Sequence, residues 1–228
     1  IDRAAIPISG RAIEAAGVEH DGLGAGVTAI LVDCPEFYDR AELYGVGNDD
    51  YPDNAIRFAF LARAALEFSV RTGWKPDIVH AHDWQAGLAP VYLETMYAGH
   101  PVLGSAASVF TVHNLAYQGL FPSAWMPALD LPWGTFHVDG LEYWGHVSFL
   151  KGGINFSQLI TTVSPSYAKE IQTPEAGFGF DGVLRRRSAH VVGILNGIDT
   201  SAWNPATDPF LPSGYDAELN ALGIVDDA

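Results

Sequence analysis

The sequence predicts an α/β fold with a doubly wound, Rossmann-like parallel sheet. Short apolar runs rich in β-branched residues recur along the chain, and segments with helical periodicity separate them. Apolar residues make up 48% of the 228 residues and charged residues 17%, a composition that can bury a core. The predicted strands are Thr28–Val32, Asp77–Val79, Ser108–Val112, Leu159–Val163 and Val191–Leu195.

The clearest helix is predicted between Asn54 and Arg71, where apolar residues recur every four positions. Asp53 is placed to cap its N-terminus, and Gly73 is placed to end it. A second helix is expected near Ala86–Met96, with Pro90 in its first turn or at a kink.

Two further segments complete the predicted architecture. A helix begins at Ser166, directly behind Pro165. Residues 119–140 hold three prolines and several aromatic residues, which predicts a long irregular excursion of the kind that often carries function. No linker is evident, so we expect a single domain over residues 1–228.

The charge of the chain excludes several classes of partner. Lysine and arginine number 12 against 27 acidic residues, which gives a formal charge of −15. We therefore expect no nucleic-acid partner and no binding to an anionic membrane surface. No apolar run approaches the roughly 18 residues that a membrane span needs. The single cysteine, Cys34, allows no intrachain disulfide, suits a reducing compartment and is interpreted as structural.

Polar side chains follow the predicted strands. Ligands of open parallel sheets bind beyond the carboxyl ends of the strands, so these side chains mark a candidate site. One interpretation is a metal-dependent hydrolase, because histidines two positions apart on an extended segment point the same way. Against it, such enzymes are typically β/α barrels of about 250 residues with eight units. The polar residues are His80, His82, Asp83, His113, Asn114, Ser164 and Asn196, and the metal hypothesis uses the first four.

Phosphate-binding motifs are missing from the sequence. There is no Walker sequence and no GxGxxG after a strand, and Gly22–Gly26 precedes a strand and predicts a turn. The one basic cluster, Arg185–Arg187, is interpreted as a solvated helix C-terminus. Ser164 does not lie in a GxSxG elbow and is expected to cap a helix or bind a ligand. If the substrate carries a diphosphate, most of its cationic cradle lies outside this chain.

Several long motifs in a fixed order resemble those of bacterial glycogen synthases and plant starch synthases, over about residues 30 to 210. The two most specific are Lys75–Leu88 (KPDIVHAHDWQAGL) and Phe110–Gly119 (FTVHNLAYQG). The others are Tyr51–Phe58 (YPDNAIRF), Ser148–Lys151 (SFLK), Thr162–Ala168 (TVSPSYA), Leu195–Asp199 (LNGID) and Trp203–Pro205 (WNP).

The resemblance implies a GT-B glycosyltransferase with two Rossmann-like domains. Such enzymes transfer glucose from ADP-glucose to the non-reducing end of an α-1,4-glucan, with retention and without a metal or other cofactor. His113 would contact the glucosyl group, and its backbone carbonyl would stabilise positive charge at the anomeric carbon. Asn196 would bind the same sugar, Asp83 and Tyr44 would line the cleft, and Asn114 is a further candidate for substrate binding.

The family's first strand and its KTGGL phosphate loop are absent from the sequence, as is a second domain. We therefore expect residues 1–228 to be the acceptor-side domain, incomplete at its N-terminus, and to be inactive alone. A non-catalytic glucan-binding module using the aromatic stretch Trp125–Trp144 stays open as an alternative. The resemblance further implies a cytoplasmic protein in a bacterium or a plastid protein in a plant, and the oligomeric state is left open.

Overall fold

The computed structural model describes residues 3–20, 26–216 and 218. The chain divides into two compact units, residues 1–194 and 195–228, and every helix and strand named below belongs to the first. The strands are β1 (Ala4–Ile8), β2 (Arg11–His20), β3 (Ala29–Asp33), β4 (Gly45–Val46), β5 (Asp49–Asp50), β6 (Ile78–His82), β7 (Ala107–Val112), β8 (Leu120–Pro122), β9 (Glu142–Tyr143), β10 (His146–Ser148), β11 (Leu159–Thr162) and β12 (Val191–Gly193).

The helices are α1 (Pro35–Tyr38), α2 (Asn54–Thr72), α3 (Asp83–Ala86), α4 (Leu88–Thr95), α5 (Phe149–Phe156), α6 (Pro165–Glu170) and α7 (Asp181–Arg186). Three 3-10 segments cover Ser123–Trp125, Trp133–Thr135 and Ser188–His190. Within the described residues, none of the helices is both long enough and apolar enough to cross a bilayer.

A four-stranded parallel sheet forms the centre of the first unit, in the order β12-β11-β7-β6. Phe110 and Val112 of β7 and Ile160 of β11 are fully buried, because central parallel strands are covered on both faces. Helix α4 packs against β6 and β7, and α6 packs against β11 and β12. The predicted α/β fold with a parallel sheet is confirmed.

The first predicted strand, Thr28–Val32, does not join this sheet. Strand β3 pairs antiparallel with β2, which pairs antiparallel with β1 through a tight turn at Ser9 and Gly10. Its side chains are half-buried or exposed, and Leu31 is 57% exposed, as in antiparallel sheets that have one solvated face. The prediction of five parallel strands was therefore wrong by one. The turn predicted at Gly22–Gly26 lies, except for Gly26, outside the described residues.

The predicted helix boundaries are confirmed where caps were identified. Helix α2 begins after Asp53 and ends at Gly73, which adopts the left-handed conformation with φ of 69°. Asp53 occupies the N-cap position but makes no side-chain cap, and its carboxylate accepts a hydrogen bond from Arg40 at 2.7 Å. Pro90 lies in the first turn of α4, and the Ser164 hydroxyl caps α6 by accepting the Tyr167 N–H at 2.9 Å.

Residues 119–140 contain short regular elements rather than a wholly irregular excursion. Strand β8 pairs with β10, which also pairs with β9, and two 3-10 segments lie between β8 and β9. Met126 and Leu129 are fully buried and anchor the segment to the core. Cys34 is also buried, and this burial raises the pKa of its thiol, which fits the structural role predicted for it.

The basic cluster fits the predicted solvated helix C-terminus in part, because Arg185 and Arg186 lie in the last turn of α7 with exposed side chains, and Arg187 departs from it. Arg185 pairs with Asp181 at 2.7 Å, and Arg186 pairs with Asp139 at 2.9 Å. Arg187 follows α7 and donates hydrogen bonds to four backbone carbonyls around the C-terminal end of α5. Carbonyls at a helix end have no partner within the helix, so a partly buried guanidinium satisfies them and complements the helix dipole.

Candidate active site at the carboxyl edge of the parallel sheet

The site is built where β6 and β7 end side by side. Asp83 directly follows β6, and His113 and Asn114 directly follow β7. The Asp83 carboxylate accepts the backbone N–H of His113 at 2.8 Å and, weakly, that of Asn114 at 3.5 Å. The structure thus brings together three of the predicted site residues, and Asp83 holds the loop that carries the other two.

Asp83 adopts a left-handed backbone conformation, with φ of 53°. This region is unfavourable for most side chains, although aspartate tolerates it better than residues with bulkier side chains. The conformation turns the chain from β6 into α3 within one residue, while the carboxylate reaches the neighbouring loop. Strain of this kind concentrates at functional sites, where the surrounding contacts maintain it.

Three histidines lie in a row beside this loop. His82 Nδ1 and His113 Nε2 are 3.0 Å apart, and the rings of His80 and His82 lie with their centroids 4.2 Å apart and their planes tilted by 31°. His80 Nε2 lies 2.6 Å from the Thr111 hydroxyl. Burial lowers the pKa of both His80 and His82, and repulsion from the neighbouring histidines lowers it further. The lowered pKa of His82 favours its neutral imidazole, whose Nδ1 faces Nε2 of His113.

The geometry does not support the metal-dependent hydrolase. Among the residues that the structure describes, no group of three or more histidine, cysteine or acidic side chains is arranged to hold a metal ion. His82 and His113 are bonded to each other, His80 to Thr111, and Asp83 to backbone amides. Each candidate ligand therefore already has a partner inside the protein.

A cleft of about 670 Å³ lies beside the loop after β7. Its lining residues are Tyr44, Asp50, Asn54, Trp84, Gln85, Ala116, Tyr117, Gln118, Gly119, Leu120 and Phe121. The Tyr44 hydroxyl accepts a hydrogen bond from Gln85 Nε2 at 2.7 Å, and the Tyr44 ring lies 6.0 Å from the Trp84 indole. Aromatic faces next to amide and hydroxyl groups give the cleft both apolar and hydrogen-bonding surface, the combination that is typical of small-molecule sites.

The remaining predicted residues have different places. Asn114 uses its side-chain oxygen to accept the Ala116 N–H at 3.0 Å, which shapes its own loop. Ser164 caps the N-terminus of α6, which is one of the two roles predicted for it. Asn196 belongs to the second unit, residues 195–228, and its contact with the sugar stays a prediction.

Gln85 and Gln118 line the cleft, although neither was among the predicted site residues. They lie inside the two long motifs, in the segments that follow β6 and β7, and this place after a strand end could have drawn attention to them. Gly119 has φ of 57°, and a Cβ there would lie 2.5 Å from the Trp84 indole. The close approach of this loop to Trp84 therefore requires glycine.

Comparison with known proteins agrees with this geometry. The family described as starch synthase catalytic domain matches residues 3–186. The chain is 49% identical over 207 residues to a glycogen synthase of Koribacter versatilis, covering 91% of this chain and 43% of that protein. It is 52% identical over 179 residues to a glycogen synthase of Anaeromyxobacter dehalogenans, covering 78% and 38% of the two chains.

A solved structure matches equally clearly. The catalytic domain of starch synthase IV from Arabidopsis thaliana, bound to ADP and acarbose, superposes with a TM-score of 0.81 at 36% identity. The match covers 95% of this chain and 44% of that one, so the chain spans less than half the length of the relatives it matches. The family match, the identities and the shared fold agree, and the chain belongs to the starch and glycogen synthase family of glycosyltransferases.

Proposed function

We propose that residues 1–228 form the acceptor-side part of a glycogen synthase with the GT-B architecture. The enzyme would transfer glucose from ADP-glucose to the non-reducing end of an α-1,4-glucan, with retention of the anomeric configuration. The observation that carries the proposal is the Asp83 carboxylate bound to the His113 loop beside a cleft suited to a sugar. The family membership of the chain supports the same reaction class.

The proposed mechanism is electrostatic. Departure of the nucleotide leaves positive charge on the anomeric carbon, and dipoles fixed in advance near that charge lower the barrier. The backbone carbonyl of His113 belongs to the same peptide group as the Asn114 N–H, which points at the Asp83 carboxylate. A peptide group polarised by a carboxylate presents a more negative carbonyl oxygen. Asp83 would thus act through the His113 carbonyl as a positioning and polarising group.

The His113 side chain is proposed to bind the glucosyl group. Its Nε2 faces His82, and within the described residues its Nδ1 makes no hydrogen bond, so Nδ1 is available to a sugar hydroxyl. The partner of Nε2 fixes which ring nitrogen carries the proton. Tyr44 and Gln85, which line the cleft, would orient the glucan acceptor.

The phosphates of ADP-glucose are proposed to bind elsewhere. Lys151 is 3% exposed and donates to the backbone carbonyls of Val138 and Glu142, and Arg187 caps α5. The cationic groups of both residues are therefore already engaged in hydrogen bonds to backbone carbonyls. A nucleotide diphosphate would therefore rely on the family's second domain, and we expect residues 1–228 alone to transfer no glucose.

Two preparations test the proposal with ADP-[14C]glucose and glycogen. The chain alone should give no incorporation above the blank. A hybrid, in which this chain replaces the matching segment of a bacterial glycogen synthase, should label glycogen through bonds that β-amylase cleaves. A folded hybrid that transfers nothing, or a chain that alone matches a full-length relative, would contradict the proposal.

The same two preparations distinguish the proposed enzyme from the alternative, a non-catalytic glucan-binding module. Retardation of the chain in a glycogen gel, together with an inactive but folded hybrid, would favour binding without catalysis. We also propose that the protein acts in the bacterial cytoplasm, because the curated relatives reported above are bacterial and the single cysteine suits a reducing compartment.

A further inference from the structure

Two exposed aromatic rings occupy the tips of two tight turns. Trp144 is 83% exposed with φ of 49°, and Gly145 follows it with φ of 80°. Phe178 is 55% exposed with φ of 47°, and Gly179 follows it with φ of 83°. Each turn therefore pairs a large aromatic residue with a glycine, both in the left-handed region.

The fold does not require an aromatic residue at either tip. Turns with two successive positive φ values favour asparagine, aspartate or glycine at the first position, and a bulky residue there is strained. The exposed rings of Trp144 and Phe178 add little to the core. A strained conformation retained at an exposed aromatic residue points to a role outside the folded core.

The two turns are held against each other. The Tyr143 hydroxyl donates to the Phe178 carbonyl at 3.2 Å, and Gln118 Nε2 donates to the same carbonyl at 3.0 Å. The Tyr143 ring stacks on the fully buried Phe180, with centroids 4.6 Å apart and planes 11° apart. The rings of Trp144 and Phe178 are thus presented from one rigid base.

A groove of about 510 Å³ runs beside Trp144, and the charged residues that line it already have hydrogen-bond or ion-pair partners in the fold. Lys151 donates to backbone carbonyls, Arg186 pairs with Asp139 at 2.9 Å, and Glu142 accepts the Gly145 N–H at 2.8 Å. Cations that are already engaged in this way are less available to a phosphate, so the groove suits a neutral polar ligand better.

We propose that Trp144 and Phe178 form a glucan-binding surface, on which the apolar faces of α-1,4-linked glucose rings stack. Gln118 lines the cleft beside His113 and also holds the Phe178 turn, so this surface borders that cleft. The choice of an α-1,4-glucan as ligand rests on the proposed function. The groove would hold a polymeric acceptor while its end lies in the cleft.

The substitution Trp144→Asn separates a structural role from a binding role. Asparagine suits the turn, so the thermal unfolding midpoint should stay the same or rise. Retardation of the chain in native gels that contain glycogen should weaken about fivefold, as expected when one aromatic stacking contact is lost. Phe178→Asn should weaken retardation similarly. Trp74→Ala removes an indole that is 58% exposed and lies outside both the groove and the stretch Trp125–Trp144, and it should leave retardation unchanged.

Three outcomes would overturn the inference. They are no retardation of the wild-type chain by glycogen, unchanged retardation of the Trp144→Asn variant, and a Trp144→Asn variant that differs from wild type only in its oligomeric state. The last would make the patch an interface between two copies of the chain. Transfer to maltotriose by the hybrid enzyme is measured separately. A hybrid that transfers glucose, together with a Trp144→Asn variant whose retardation by glycogen is unchanged, would refute this inference and leave the proposed function standing.

Discussion

Replacing Asp83 should loosen the loop that carries His113 and Asn114. The carboxylate accepts two backbone N–H groups of that loop, of which the one from His113 at 2.8 Å has good geometry. Asp83 also adopts φ of 53°, where its side chain is tolerated better than that of alanine. Three substitutions remove these two contributions separately.

The magnitudes follow from the geometry. Loss of one charge-assisted hydrogen bond at a half-buried site costs about 2 kcal/mol, and alanine at a positive φ costs about 1 kcal/mol more. Asp83→Ala should therefore lower the free energy of unfolding by about 3 kcal/mol. Asp83→Gly removes the hydrogen bond but relieves the backbone strain of the positive φ, and it should lower the free energy of unfolding by about 1 to 2 kcal/mol. Asp83→Asn keeps an acceptor and the tolerance of this conformation, and should cost about 1 kcal/mol.

Urea denaturation of the four proteins measures these differences, and amide hydrogen exchange at His113 reports the bond itself. Exchange at His113 should accelerate in the alanine and glycine variants and change least in the asparagine variant. The reasoning is refuted if Asp83→Asn destabilises the chain as much as Asp83→Ala. It is equally refuted if exchange at His113 does not respond to any of the three.

Three other predictions concern the surroundings of the site. Gly119→Ala should lower the free energy of unfolding, measured in urea, by about 2 to 3 kcal/mol, because φ is 57° and the new Cβ would lie 2.5 Å from the indole of Trp84. As a control, the Cβ of Gly134→Ala would meet nothing within 4 Å, and this substitution should be nearly neutral. Arg187→Lys should cost about 2 kcal/mol by the same measurement, since an ammonium cannot serve the four carbonyls that the guanidinium reaches. The pKa values of His80 and His82 are lowered in the folded state, so the unfolded chain binds more protons below about pH 6.5 and stability should fall as the pH drops. The loss of stability between pH 7.5 and 5.5 should shrink in the double variant His80→Gln/His82→Gln, and an unchanged loss would contradict the assignment.

The parallel sheet and the longest helix could be predicted because their signals are local. Helix α2 has a sustained apolar stripe and a glycine at its end, and the strands β6, β7, β11 and β12 are short apolar runs before polar residues. The direction of β3 could not be predicted, because strand direction depends on which partner it pairs with. The turn at Ser9 and Gly10, which makes the hairpin of β1 and β2, was the overlooked signal.

The site was predictable as a set of residues but not as a set of bonds. Motif position placed Asp83, His113 and Asn114 at one edge of the sheet. That Asp83 binds backbone amides, and that His82 binds the His113 ring, depends on rotamers and on a left-handed backbone that no periodicity indicates. Arg187 likewise found its partners on α5, about thirty residues away in the sequence, so the local pattern of three arginines predicted a solvated terminus.

The central claim is that His113 and its loop contact the glucosyl group during glucose transfer in a two-domain synthase. The most direct test compares the hybrid enzyme with its His113→Ala variant, at matched folding by circular dichroism, for incorporation of label from ADP-[14C]glucose into glycogen. We expect an active hybrid and a loss of about 100-fold in kcat for the variant, in the range of removing one group that stabilises the transition state. A folded variant that keeps the rate of the unmodified hybrid within a few-fold would contradict it.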